Sequence, residues 1–227
     1  MKKNNSAALA LNIIIFILVV FSVISTLIGF QFMGEMTIMM TNNISAFKFF
    51  TFDSNILAGI VSLVYIIYVC RIKKKVPGKT FEMPRWFTML KLASTTGVTL
   101  TMMVTVFFLA PTSSKGYFAL FMNSNLFFHF VIPMLSVISF IFFEPAEKLS
   151  LRQTLTGIIP MFIYSVFYSL NVVLHMNNGQ PISTYDFYGF LGGKISRIWF
   201  VMPAIYLLTW SFSLLLWVGN KKIVSKK

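Results

Sequence analysis

Acidic residues are scarce in this chain: six Asp and Glu stand against nineteen Lys and Arg, with one cysteine and two histidines among 227 residues. The lone Cys70 excludes an intramolecular disulfide, and cysteine usage therefore says nothing about the compartment on either side. Two histidines and a few scattered carboxylates do not make a ligand set with the usual spacing, so no metal site and no cofactor is expected. A GxSxG elbow, an HExxH pair and a phosphate-cradling glycine loop are all missing. Charge is short as well. Charged residues make up 11% of the chain, where a soluble domain carries about 25%, and that deficit excludes an ordinary soluble fold. The two halves show no repeat and no matched pair of short, glycine- or proline-interrupted helices, which argues against an inverted-repeat transporter.

What the chain does have is apolar length: 57% of its residues are hydrophobic. Six runs of about 20 apolar residues are each long enough to cross a hydrocarbon core of about 30 Å. They lie near 7–30, 47–70, 86–110, 120–143, 152–175 and 197–219, and they leave no room for a separate soluble domain. The expected fold is all-α, a polytopic bundle of six transmembrane helices in one domain, 1–227. The first run, "AALALNIIIFILVVFSVISTLIGF", follows Lys2 and Lys3 like a signal peptide. Its apolar part is too long and lacks a small-x-small cleavage site, so it reads as a retained helix.

Basic residues set the expected orientation. Fourteen Lys and Arg fall in the two tails, the 71–85 loop and the 144–152 loop, against four in the alternate loops (Lys48, Lys115, Lys194, Arg197) and Lys91 inside the third helix. The positive-inside rule then places both termini in the cytoplasm and the protein in the cell membrane. The run "RIKKKVPGK" reads as an orientation determinant with weak affinity for anionic lipid rather than as a nucleic-acid site. The longest loop, about 176–196, is expected outside, its aromatic part forming a lid or an interfacial belt.

Polar side chains at membrane depth are costly and are functional candidates by default. In "AFKFFTFDSNILAG", residues 46–59, Thr51, Ser54 and Asn55 share a helical stripe with Ser62, and Asp53 points nearly the opposite way. Thr51 is expected about 6 Å below the outer boundary and His129 about 13 Å below it, at 1.5 Å per residue. Asn125 and His129 form a second stripe with Ser136; Pro133 follows His129 by four and is expected to kink the helix there. The fifth helix brings Asn171 and His175 to the same outer half. The hydroxyls of "KLASTTGVTLTMMVTVF", ending at Thr105, read as packing groups.

A threonine hydroxyl becomes a nucleophile when a base takes its proton, and histidine suits that task. Thr51 and His129 at compatible depths make such a pair, with Asn55, Asn125 and Asn171 as oxyanion donors and Ser54 and His175 as further lining groups. The other reading of the same residues is interhelical hydrogen bonding. The segments "FKFFTFDSNILAG", "NSNLFFHFVIP" and "YGFLGG" resemble the androgen-induced-gene family of six-helix membrane proteins in its bacterial branch. That resemblance implies an intramembrane threonine hydrolase of fatty acid esters of hydroxy fatty acids, with Thr51 as nucleophile and His129 as base, acting on membrane lipids or a lipid ester. Two other functions fit the same sequence: a non-catalytic lipid-binding or transport protein, and a structural membrane subunit.

Overall fold

The computed structural model describes residues 5–34, 43–75, 83–144, 146 and 149–224. The basic run at 71–79 and the C-terminal tail lie in part outside these. Six helices long and apolar enough to cross a membrane follow one another. They are α1 (Asn5–Ile28), α2 (Phe50–Lys75), α3 (Arg85–Leu109), α4 (Ser124–Phe143), α5 (Leu151–Leu174) and α6 (Ile198–Val224). The only β pairing among the described residues is one isolated bridge, Asn177 to Gln180. The expected spans agree with these to within about five residues at every end. With six such helices in succession, the first and last of the described residues lie at the same end of the bundle.

Helix α3 is the hub. Two thirds of its most apolar window (67%) is buried, against 22–39% for the other five, and it packs on α2, α4, α5 and α6. Its small hydroxylated residues permit this, because Ser and Thr keep the helix surface thin and satisfy their own hydroxyls on the backbone. Thr96, Thr99 and Thr101 donate to the carbonyls of Leu92, Thr95 and Val98. Pro84 supplies the extended residue before its first turn. Ser150 and Gln153 form a capping box at the start of α5.

Three stretches depart from α-helical register. The chain widens to a π-helix at Thr105–Leu109 in α3 and at Phe127–Val131 and Ser139–Phe143 in α4. The middle one explains how Pro133 is accommodated. In π register the carbonyl of residue 128 looks five residues ahead for a donor, and residue 133 is proline, which has none. Asn55 of α2 fills the gap, its Nδ2 donating to the Phe128 carbonyl at 3.1 Å.

Toward the end away from the chain termini, residues 176–196 fold back over the bundle. Buried Asp186 holds this segment in shape: it accepts from the Tyr168 hydroxyl and from the backbone N–H groups of Leu191 and Gly192, the latter two at 3.1 Å. The knot sets Tyr188 and Phe190 on the bundle, where the Tyr188 hydroxyl accepts from the Phe50 backbone N–H at 3.0 Å. Loss of water around it pushes the Tyr188 phenol up to about 12, so the acceptor stays neutral at physiological pH. Near the opposite end, Lys91 of α3 and Glu144 after α4 form a buried ion pair at 3.3 Å. Asn12 of α1 bridges the two, accepting from Lys91 at 2.5 Å and donating to Glu144 at 2.9 Å.

Candidate functional site

His129 and Thr105 meet where two π-helical turns face each other. Thr105 opens the π segment of α3 and His129 sits in the middle of that of α4. Thr105 Oγ1 lies 2.8 Å from His129 Nδ1. Each widened turn displaces its side chains from the α-helical stripe, and the hydrogen-bond partner of His129 Nδ1 is Thr105 on α3. Single π turns are frequent at functional sites for this geometric reason.

The pair forms part of the wall of a cavity of about 170 Å³, which Thr51, Asn125, Phe128 and Tyr188 also line. A second cavity of about 130 Å³ lies against the first and shares Thr51, Thr105, Tyr188 and Phe190 with it, extending toward Met161 and Leu208. The lining is mostly apolar, with a few hydroxyls, one amide and one imidazole among the described residues. Thr105 is buried and His129 and Thr51 are half-buried. Among the described residues Thr51 Oγ1 has no hydrogen-bond partner; the Thr51 carbonyl instead accepts from Ser54 Oγ at 3.1 Å and Asn55 Nδ2 at 2.7 Å.

The other candidates separate from this cavity. Asn55 spends both amide hydrogens on backbone carbonyls, those of Thr51 and Phe128, and its Oδ1 is buried with no partner among the described residues. It therefore fixes the spacing of α2 and α4 beside Thr51 and His129 and has no hydrogen left for an oxyanion. Ser54 and Asn171 line a different groove, between α2 and α5, together with Asp53. His175 is exposed at the end of α5, where Nδ1 meets the Asn171 carbonyl at 2.8 Å and the ring stacks on Tyr185 at 4.0 Å. Of the amides, Asn125 alone faces the cavity with His129.

Thr105 was not distinguishable by sequence from the other hydroxyls of α3. Its one difference is position: it stands at the apolar end of that run, before "VFFL", where the helix leaves α register. Among the described residues no group of three or more His, Cys, Asp or Glu is placed to hold a metal ion. No family model, no curated protein and no solved structure matches the chain.

Proposed function

We propose that this protein is an intramembrane hydrolase of lipid esters in the cell membrane, with both termini cytoplasmic, Thr51 as nucleophile and His129 as the base that activates it. The observation that carries the proposal is the Thr105–His129 hydrogen bond of 2.8 Å on a cavity wall that also exposes the unpartnered Thr51 hydroxyl. A histidine held through Nδ1 presents Nε2 for proton transfer, and the group on Nδ1 orients the ring, the division of labour found in hydrolytic triads. Thr105 takes the orienting role.

The reaction then runs in two halves. Thr51 Oγ1 attacks the ester carbonyl carbon while His129 Nε2 takes its proton. The oxyanion collapses, the ester C–O bond breaks, and the departing alkoxide leaves as an alcohol with the proton from His129. Water, giving a proton to His129, attacks the acyl-threonine; the acid is released as that proton returns to Thr51. Asn125 is the amide placed to donate to the oxyanion. An apolar cavity suits an acyl chain, and the resemblance to the androgen-induced-gene family points to fatty acid esters of hydroxy fatty acids as the substrate class.

The test is intact mass after treatment with a lipid-tailed fluorophosphonate. Wild type should take one adduct, mapped to Thr51, and Thr51→Ala and His129→Ala should take none. An adduct that persists at full rate in Thr51→Ala would remove Thr51 from the nucleophile's role, and no adduct on folded wild type would remove the hydrolase. One observation favours the alternative of a lipid-binding protein without turnover: the hydrogen bond of His129 runs to Thr105 and not to Thr51. That alternative expects a co-purifying lipid and no adduct.

A further inference from the structure

Helix α2 has a second working face. Asp53 points away from the cavity that Thr51 lines and into a separate groove of about 640 Å³ between α2 and α5. The groove runs from Asn171 near one end of α5 to Pro160, eleven residues along. At 1.5 Å per residue this is about 16 Å, close to one leaflet of a hydrocarbon core about 30 Å thick. Apart from Asp53, Ser54, Asn171 and Lys48 at the rim, its lining is hydrophobic or aromatic.

The carboxylate is the unusual feature. Asp53 stands within the first turn of a membrane-length helix, and among the described residues it has no ion pair and no side-chain hydrogen bond. Lys48, the nearest cation in sequence, has its ammonium over the rings of Phe49 and Phe187, at 5.0 and 5.4 Å from their centroids. A carboxylate in such surroundings is stabilised by a cation. The remaining wall adds to the same preference: Phe50, Tyr164, Tyr168 and Phe187 line the groove beside Asp53, and the faces of aromatic rings attract ammonium groups. Lys48 over Phe187 already shows this wall holding one.

We infer that the groove binds a single-tailed amphiphile with a cationic ammonium head, the ammonium held by Asp53 and the aromatic wall and the tail lying along α5 toward Pro160. Asp53 lies three residues inside the start of the helix, about 4.5 Å by the helical rise, the depth at which an amphiphile's head meets its tail. The site stands apart from the Thr51–His129 cavity and does not depend on the hydrolase reading.

The experiment is native mass spectrometry of the full chain released from nonionic detergent, titrated with dodecylamine and, separately, with dodecanol. Wild type should hold one dodecylamine at concentrations where dodecanol occupancy is about tenfold lower. Asp53→Asn should erase that preference, Leu57→Trp should block both probes by filling the groove, and Thr51→Ala should change neither. Equal occupancy by amine and alcohol in wild type overturns the proposal, as does an amine preference that survives Asp53→Asn. Should Asp53→Asn fail to fold, Leu57→Trp decides: amine binding that persists with the groove filled places the amphiphile elsewhere.

Discussion

Thr105 and His129 are joined across α3 and α4 by a 2.8 Å hydrogen bond at the point where both helices are in π register. The site thus combines local irregularity in two helices. The bond gives His129 a fixed ring without using a carboxylate, and among the described residues no carboxylate lines this cavity.

Removing the Thr105 hydroxyl tests that role. Thr105→Val keeps the shape and takes away the partner of Nδ1. An unsatisfied buried group costs about 1–3 kcal/mol, and a ring free to rotate should lower the fluorophosphonate labelling rate by about 10–10²-fold, part of the roughly 10²–10⁴-fold that a positioned general base contributes. Thr105→Ser should restore the rate. Labelling of Thr105→Val at the wild-type rate would make the bond a packing contact only.

Asn55 and Pro133 should show strong coupling. Asn55→Leu leaves the Phe128 carbonyl without a donor, because the proline at 133 cannot supply one, and the expected loss is about 1–3 kcal/mol. Pro133→Ala returns a backbone N–H to that turn, so in the Asn55→Leu background it should recover much of the loss. Thermal melts of the four proteins of the cycle measure this; simple additivity of the two substitutions would show that the carbonyl is satisfied in another way.

Sequence reached different parts of this molecule to different depths. The six helices were legible because apolar runs of about 20 residues have one common solution in a membrane. Thr51 and His129 were expected at similar depth from rise per residue alone, and both line one cavity with Asn125. Azimuth was less legible. The stripe through Asn125 and His129 assumed 3.6 residues per turn, and the π turn at Phe127–Val131 rotates His129 toward Thr105. Asn55 fell on the expected face, but one of its amide hydrogens goes to the Phe128 carbonyl, which a proline leaves without a donor on another helix, a relation with no local sequence signature. Asp53 was expected to turn away from Thr51, and it does, into the α2–α5 groove.

The ion pair near the other end should behave asymmetrically. Lys91 and Glu144 are 4% and 8% exposed at their side chains and share Asn12 as a bridge. Lys91→Met alone leaves a buried carboxylate with no cation, a change that costs about 3–5 kcal/mol in comparable pairs. Lys91→Met with Glu144→Leu removes both charges and should recover most of that stability. A double substitution no more stable than Lys91→Met would show that the pair contributes more than charge compensation, with Asn12 and Ser139 depending on Glu144 for their own hydrogen bonds.

The seam between α1 and α2 carries a glycine at a close helix contact. A Cβ built on Gly59 would stand 2.7 Å from Val19 Cγ1, closer than packed carbons approach, and Val19 is itself 5% exposed in the cluster with Ile15 and Phe128. Gly59→Ala should therefore push α1 away from α2 and cost about 1–3 kcal/mol by overpacking. Val19→Ala removes both methyls, leaving only the Val19 Cβ at 3.0 Å, and should restore most of the close approach, because small residues on both sides are what allow two membrane helices to touch. The readout is the melting temperature of the single and double variants together with the labelling rate at Thr51. The same cluster holds Phe52 and Phe128, neighbours of Thr51 and His129, so a displaced α1 should slow labelling in Gly59→Ala, and the double variant should recover rate and stability together. Recovery of stability without recovery of rate would separate the α1–α2 seam from the site.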